Sequence, residues 1–479
     1  MTPSLHRLLA GYLPINLIQA GAALGLVVIF SRLLDPAEYG RYALVATAVL
    51  WAQSLLFFWL QASVTRFHEH SRDRNELPRL LATVYSSALG LAVVLGLAGL
   101  LLARHVGDHA PLILAGLAAL LPRALLVISL ESHRAAHRVR RYSLLEGLQY
   151  LLALALGTLF VTRLDWGASG PLLGLGLANL IVLLLDTPFL IRQLIGARPA
   201  WAELRSLAGY GLPLTLSFTL GLVTANSDRF FIGWLMDEQA VGVYAVAYAL
   251  ADRPLSILFS WTGAAAVPLA FSALNEGGTA AARAVMATTA RSLILIALPG
   301  ALGLALVATP LAAVMVGEEF RAATTHIVPW VAVAGLLNGI MSHYTAHAFL
   351  ITQHTQLLML TTGLAALANV LLNLLLIPHW GLDGAIAATL VAYALGVVAR
   401  VLLMRKRFPI PLVPVDLGKG LLACGGMAAV LLAVHWPLDG WGLLGAIGTG
   451  MLSYALAAVA LDVSGARQFL IARWQRWRS

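Results

Sequence analysis

Two arginines stand where a membrane would make them costly. Arg123 and Arg253 each lie near the middle of a long apolar stretch. A charged side chain at bilayer depth costs at least about 2.5 kcal/mol on insertion scales, so it lines a cavity or finds a partner. Guanidinium presents a planar fork of donors suited to phosphate or carboxylate oxygens. Two acids, Asp186 and Asp252, lie at similar depth. Either serves as a structural partner for an arginine or as the binding group for a coupling proton or cation. Asp252 and Arg253 are neighbours, which puts them about 100° apart on a helix and argues against their pairing with each other. Asp228 and Arg229 repeat that arrangement nearer one end of their stretch, as a gate or as interfacial groups. His343 and His347 share one helical face. Two histidines fall short of a metal site without further ligands, so proton sensing or a polar cavity-facing stripe remains. Asn16, Gln19, Gln53, Gln61, Asn179, Asn226, Asn338 and Asn373 add amides that either bind sugars or bond helices together.

The elements that carry these residues must be membrane helices. Of 479 residues, 60% are hydrophobic and 11% charged, with a mean hydropathy of +0.84; soluble domains carry about 25% charged residues. About fourteen apolar runs recur, each near the roughly 20 residues that cross a bilayer. They are predicted at 10–33, 42–63, 79–103, 110–130, 143–163, 169–192, 206–236, 240–270, 285–316, 326–351, 355–378, 382–404, 417–436 and 441–462. They are α-helices because lipid leaves no backbone group unpaired and the runs lack the alternation of barrel strands. The first run is too long for a signal-peptide core and no small-residue cleavage site follows it. The single cysteine, Cys424, excludes a disulfide framework and a cysteine metal site. A net charge of +9 without a soluble basic domain speaks against nucleic-acid binding.

Loop charge sets the orientation. With the N-terminus in the cytoplasm, most basic residues fall on the cytoplasmic side, in clusters such as Arg134, Arg138, Arg140 and Arg141, or Arg400, Arg405, Lys406 and Arg407. The outer side holds Arg32, Arg41, Arg104, Arg163, Arg229 and Arg321. This bias places both termini inside. Loops are short, leaving no room for a folded extramembrane domain.

The chain also repeats itself. Asp35–Ala43 and Asp237–Ala245 share the pattern D-x4-G-x-Y-A, and Gly11-Tyr12-Leu13-Pro14 is echoed by Gly209–Pro213. Trp166-Gly167-Ala168-Ser169-Gly170 is matched by Trp380-Gly381-Leu382-Asp383-Gly384. These matches divide the chain into an N-lobe, 1–198, a C-lobe, 199–407, and a C-terminal addition, 408–479, with two further helices. Six helices per lobe make the repeats parallel, two lobes about a central cavity. Pro14, Pro213, Pro254, Pro299 and Pro310 fall in or near spans and can bend them. The last residues set Phe469, Leu470, Trp474 and Trp477 among Arg467, Arg473 and Arg476, the pattern of an amphipathic interfacial helix.

Several segments carry a family resemblance. Arg32–Tyr42 resembles the first outer loop of the polysaccharide transporter (oligosaccharide flippase) family. Ser227–Gly233 with Val241–Tyr244 resembles its helix 7–8 junction. Leu298–Gly303, Val316-Gly317 and Phe320–Ala323 resemble its helix 9–10 region. The family shares a superfamily with multidrug extruders of the MATE type and lipid II flippases. The resemblance implies alternating-access export of polyprenyl-diphosphate-linked sugars, such as O-antigen or exopolysaccharide units, from the cytoplasmic to the outer leaflet of the bacterial inner membrane. It implies a cationic cavity and coupling to an ion gradient or membrane potential. Arg123, Arg253 and Arg229 are then the candidate substrate cations, and Asp252, Asp186, Asp228 and His343 the candidates for ion coupling or gating. No catalytic residue, metal site or resident cofactor is expected; the coupling ion would be H+ or Na+. Expected partners are the lipid-linked oligosaccharide, membrane lipids and a polysaccharide polymerase or export machinery. A lipid II-type or cation-drug exporter is the competing reading within the superfamily, and a membrane glycosyltransferase or polymerase the competing one outside it. No G-x4-G-K-[ST] loop for ATP is present.

Overall fold

The computed structural model describes residues 5–468 and 471, apart from the side chains of residues 5–14, 16, 17, 108, 264 and 265. Pro14, Asn16 and the proposed interfacial helix beyond residue 468 therefore lie outside the described residues or side chains. Among the described residues every regular element is helical. The helices are α1 Leu5–Leu33, α2 Pro36–Asp73, α3 Leu77–Ala103, α4 Ala110–Ala135, α5 Val139–Leu164, α6 Ser169–Leu194, α7 Leu204–Asn226, α8 Asp228–Leu235, α9 Glu238–Leu306, α10 Ala308–Met315, α11 Glu318–Ile340, α12 Ala346–Ile351, α13 Thr355–Met404, α14 Pro414–Ala433 and α15 Gly440–Ala460. A single π-helical turn, Met341–Thr345, joins α11 to α12.

Eleven stretches of the described chain are long and apolar enough to cross a membrane. Two of them are double: α9 breaks at Gly278 (φ 69°, ψ −162°) and α13 at Gly381 (φ 55°, ψ −131°). With those breaks and α1 counted, the predicted fourteen runs are all present as helix. Boundaries moved where capping chemistry decided them. Helix α2 begins at Pro36 rather than near residue 42, because Asp35 caps it, accepting from the Glu38 amide at 2.7 Å, and Pro36 supplies a preset first turn. The predicted run 206–236 is two helices, interrupted at Ser227.

The chain forms two compact units, Met1–Gly233 with Asp237–Gly242, and Trp234–Met236 with Val243–Ser479. In the first, Phe57, Leu60 and Val64 of α2 pack with Leu81 and Val84 of α3 and Ile128 of α4. The repeat places α7 in the second half of the sequence, but its packing is with α2. Ser63 donates to the Leu207 carbonyl at 3.1 Å, and a Cβ on Gly211 would stand 2.4 Å from the Trp59 carbonyl oxygen. In the second unit Phe259, Met286, Tyr344, Phe349, Met404 and Phe408 share a core. The outer surfaces are rich in exposed leucine, such as Leu97, Leu101, Leu184 and Leu375, a face that lipid rather than water covers. Between such helices lipid offers no hydrophobic contrast, so close packing of small residues must hold them.

Both repeated motifs have the same physics in each copy. Asp237 caps α9 as Asp35 caps α2, accepting from the Ala240 amide at 2.7 Å. The motif glycines meet one another within the first unit. A Cβ on Gly40 would lie 1.7 Å from the Glu238 carbonyl oxygen, and one on Gly242 would lie 1.9 Å from that of Pro36. Arg41 and Glu238 close the crossing with a 3.1 Å ion pair. In the Trp-Gly motif, Gly167 and Gly381 both take positive φ (44° and 55°) to turn the chain. Gly170 and Gly384 then press their helices against the preceding ones, at Val161 and Leu376.

Candidate functional site

In the first unit Arg123 is half-buried on α4 and interacts electrostatically with Glu146 of α5. Glu146 accepts from Gln19 Nε2 at 2.8 Å and also interacts with Tyr142. Gln19 reaches Tyr150 as well, at 3.5 Å. This is a polar island at membrane depth that joins α1, α4 and α5. A second carboxylate, Glu131, takes a 2.6 Å ion pair from Arg134 and a 3.1 Å bond from Thr65. Neither glutamate stood out in the sequence, because each sits in a stretch where charged residues also mark the helix end.

Asp186, read above as a partner for an arginine or an ion-coupling group, is buried at 1% exposure and crowded with donors. Arg141 reaches Oδ1 through Nε (2.8 Å) and Nη2 (2.6 Å); His133 Nε2 lies 2.9 Å from Oδ2, and the Ser129 hydroxyl donates to the same oxygen. Its arginine is thus Arg141, not Arg123. The set ties α4, α5 and α6 together. Asp186→Asn would strand these donors and should cost about 3 kcal/mol, the low end for a buried pair because Arg141 is partly exposed. We expect a lower unfolding temperature in detergent with unchanged transport per folded molecule. A stable variant that transports but no longer responds to an ion gradient would instead assign Asp186 to coupling.

Arg229 donates from Nη1 to Thr47 Oγ1 at 3.0 Å, beside the buried Asp228. It is tethered to α2 within the first unit.

In the second unit Arg253 is exposed on α9, and Asp252 accepts from Ser256 at 3.2 Å. An apolar groove of about 480 Å³ runs from Pro254 and Leu258 of α9 past Met427 of α14 to Ile447, Met451 and Tyr454 of α15. The two helices beyond the repeat thus build one wall of it. His343 occupies the π-helical turn and stacks on Phe259 at 6.1 Å between ring centroids; Gly263 makes room for it, a Cβ there lying 3.1 Å from Nδ1. His347 is buried nearby on α12. No group of three or more metal-binding side chains occurs among the described residues.

Arg400 corrects the loop assignment made from sequence. It is buried at 2% exposure and, among the described residues, bonds to neutral oxygens: Thr361 (3.2 Å), Thr362 (2.8 Å) and the Met341 carbonyl. Met341 opens the π turn, and its carbonyl also accepts from the Ala346 amide and from the Thr345 hydroxyl at 2.9 Å. The guanidinium is a further donor to that carbonyl and so ties α13 to the turn. Its place four residues before the end of an apolar run was the available signal, but loop-charge counting absorbed it.

The chain is thus a bundle of membrane helices in two compact units, with motifs repeated along it. Solved structures of membrane transporters superpose on it. A lipid II flippase, MurJ, in an inward closed conformation matches with a TM-score of 0.72 at 14% identity, over 94% of this chain and 98% of that one. An inward-facing multidrug resistance MATE transporter of the MOP superfamily matches at 0.63 with 15% identity, covering 81% and 94%. A MOP superfamily transporter from Pyrococcus furiosus, described by the reversed polarity of its binding pocket, matches at 0.55 with 16% identity, covering 83% and 95%. No curated protein sequence matches the chain. The chain belongs to the polysaccharide biosynthesis protein family, whose model matches residues 29–325. It is a multi-pass membrane protein.

Proposed function

We propose that this protein is a flippase that carries polyprenyl-diphosphate-linked oligosaccharide from the cytoplasmic to the outer leaflet of the bacterial inner membrane. One observation carries the reading: a guanidinium, Arg253, exposed on α9, the helix that with α14 and α15 lines an apolar groove starting at the next residue, Pro254. A lipid diphosphate has the matching form, an anionic head joined to a long hydrocarbon tail. An exposed arginine disfavours a cationic drug, and the sugar hydroxyls of a lipid-linked glycan suit the amides that several helices supply. Arg123 supplies a second cation in the first unit, and Arg229 a third that is already tethered. Asp252, held by Ser256, is the candidate for a coupling H+ or Na+, with Asp228 and His343 as gating groups; no catalytic step is assigned to the chain. Flipped units would pass to a polymerase or export machinery on the outer side, with both termini of this chain in the cytoplasm.

The test is deletion of the gene followed by lipid analysis of the two leaflets. A polyprenyl-diphosphate glycan should accumulate on the cytoplasmic side, and return to the outer side on re-expression. A bulky replacement in the groove wall, Gly450→Trp, should restore less export than wild type at equal abundance. Accumulation of a soluble cation in place of a lipid-linked glycan would sink the proposal in favour of drug export. Loss of glycan elongation with normal translocation would point to a polymerase.

A further inference from the structure

The turn between α4 and α5 gathers positive charge in a way that orientation alone does not require. His137, Arg138, Arg140 and Arg141 line one open hollow of about 610 Å³ together with Phe189 of α6 and Leu144 of α5. Two guanidiniums stand over the same Phe189 ring, Arg138 at 4.6 Å and Arg141 at 4.4 Å from its centroid. Stacking fixes both forks in place, with the ring as their common support. Of the hollow's cations, Arg141 is the one that pairs with Asp186. The surplus charge sits at the wrong end of a helix: Arg138 is the N-cap of α5, Arg140 and Arg141 lie in its first turn, and that turn has no acidic residue. Cations there oppose the helix dipole, which costs up to about 1 kcal/mol each when exposed. A local rule broken this way, with Arg138 and Arg140 in no ion pair among the described residues, marks a place where an external anion completes the balance.

The hollow's outer edge is apolar. Leu144 is 64% exposed, and Leu148 and Leu151 continue its face one and two turns along α5. A soluble anion gains nothing from that stripe, whereas a lipid lays its chain along it. We propose that the α4–α5 hollow binds the phosphate headgroup of an anionic phospholipid, with Arg138 and Arg140 as its donors, Arg141 positioned by Asp186 beside them, and an acyl chain along Leu144, Leu148 and Leu151. This site is independent of the transported substrate. It lies wholly in the first unit and uses none of Arg123, Arg229 or Arg253.

The test uses the full chain in nanodiscs containing a photoactivatable phosphatidylglycerol, with unlabelled competitors. Labelling should concentrate on the α5 peptide that holds residues 139–151. Unlabelled phosphatidylglycerol or cardiolipin should suppress it, and phosphatidylcholine should not. The double variant Arg138→Gln, Arg140→Gln should reduce that label by roughly tenfold or more, as the loss of two basic contacts to an anionic headgroup implies. Arg192→Gln, outside the hollow, should leave it unchanged. Arg138→Lys with Arg140→Lys keeps the charge and should retain part of the labelling, which guards against a variant that merely misfolds. Suppression by inorganic phosphate alone would overturn the lipid assignment in favour of a free anion. Equal labelling of wild type and the glutamine variant, or label spread evenly over all lipid-facing helices, would overturn the site.

Discussion

Export by Arg253→Ala should fall at least about tenfold at normal abundance in the membrane, because a hydrogen bond to a charged group contributes roughly 1.5–3 kcal/mol. Arg253 is exposed and forms no ion pair within its unit among the described residues. Its removal therefore strands no carboxylate, and the expected defect is in substrate capture rather than folding. Arg253→Lys keeps a point charge without the fork and should keep partial activity. Arg123 is different. It interacts with Glu146, so Arg123→Ala alone confounds lost binding with a stranded acid. The informative comparison is Arg123→Ala against Arg123→Ala with Glu146→Gln, each measured as glycan export in a deletion strain and normalised to membrane protein. If the double variant recovers abundance but not export, Arg123 binds the headgroup. Wild-type export per molecule by Arg253→Ala and by the double variant would end the headgroup role for both cations.

The second large effect belongs to the motif crossing. Gly242→Ala places a methyl group 1.9 Å from the Pro36 carbonyl oxygen, and Gly40→Ala places one 1.7 Å from that of Glu238. Both obstacles are backbone, so no rotamer change relieves them, and two helix starts must separate. Overpacking by a single methylene already costs about 1–3 kcal/mol in a packed core. Separation also pulls Arg41 from Glu238. Either variant should lose most of its folded protein, read as membrane abundance and as unfolding temperature in detergent. Gly90→Ala and Gly418→Ala, whose added Cβ would meet nothing within 4 Å, are the matched controls. Normal abundance of Gly242→Ala would show that the crossing is looser than described. Export that fails while abundance holds would move the glycine from folding to motion.

Much of this architecture is legible in the sequence, for physical reasons. Lipid cannot solvate a backbone amide, so a long apolar run has only the helix open to it, and the fourteen runs could be read directly. The repeated D-x4-G-x-Y-A and Trp-Gly motifs were legible as patterns because each position meets a local demand: an N-cap carboxylate, a positive φ, or a side chain reduced to hydrogen. That the two glycines of the first motif serve one mutual crossing was not legible, since a pattern repeated in sequence does not say that its copies touch. The same limit governed the charges. Depth along a run singles out Arg123 and Arg253, but the choice of partner depends on which helices lie side by side. Asp186 chose Arg141 over Arg123 because α4, α5 and α6 converge at the level of His133, and Glu146 entered the neighbourhood of Arg123 through α5. Arg400 shows the sharpest case. Counted along the chain it belongs to a basic loop cluster; in the fold it is buried against Thr361, Thr362 and the Met341 carbonyl of a π turn. Composition and periodicity determine which segments enter the membrane and which local turns they make, because those are exchanges between a segment and its solvent. Which charges meet, and which are left for a ligand, is decided by packing between segments far apart in the chain, and only the tertiary structure holds that information.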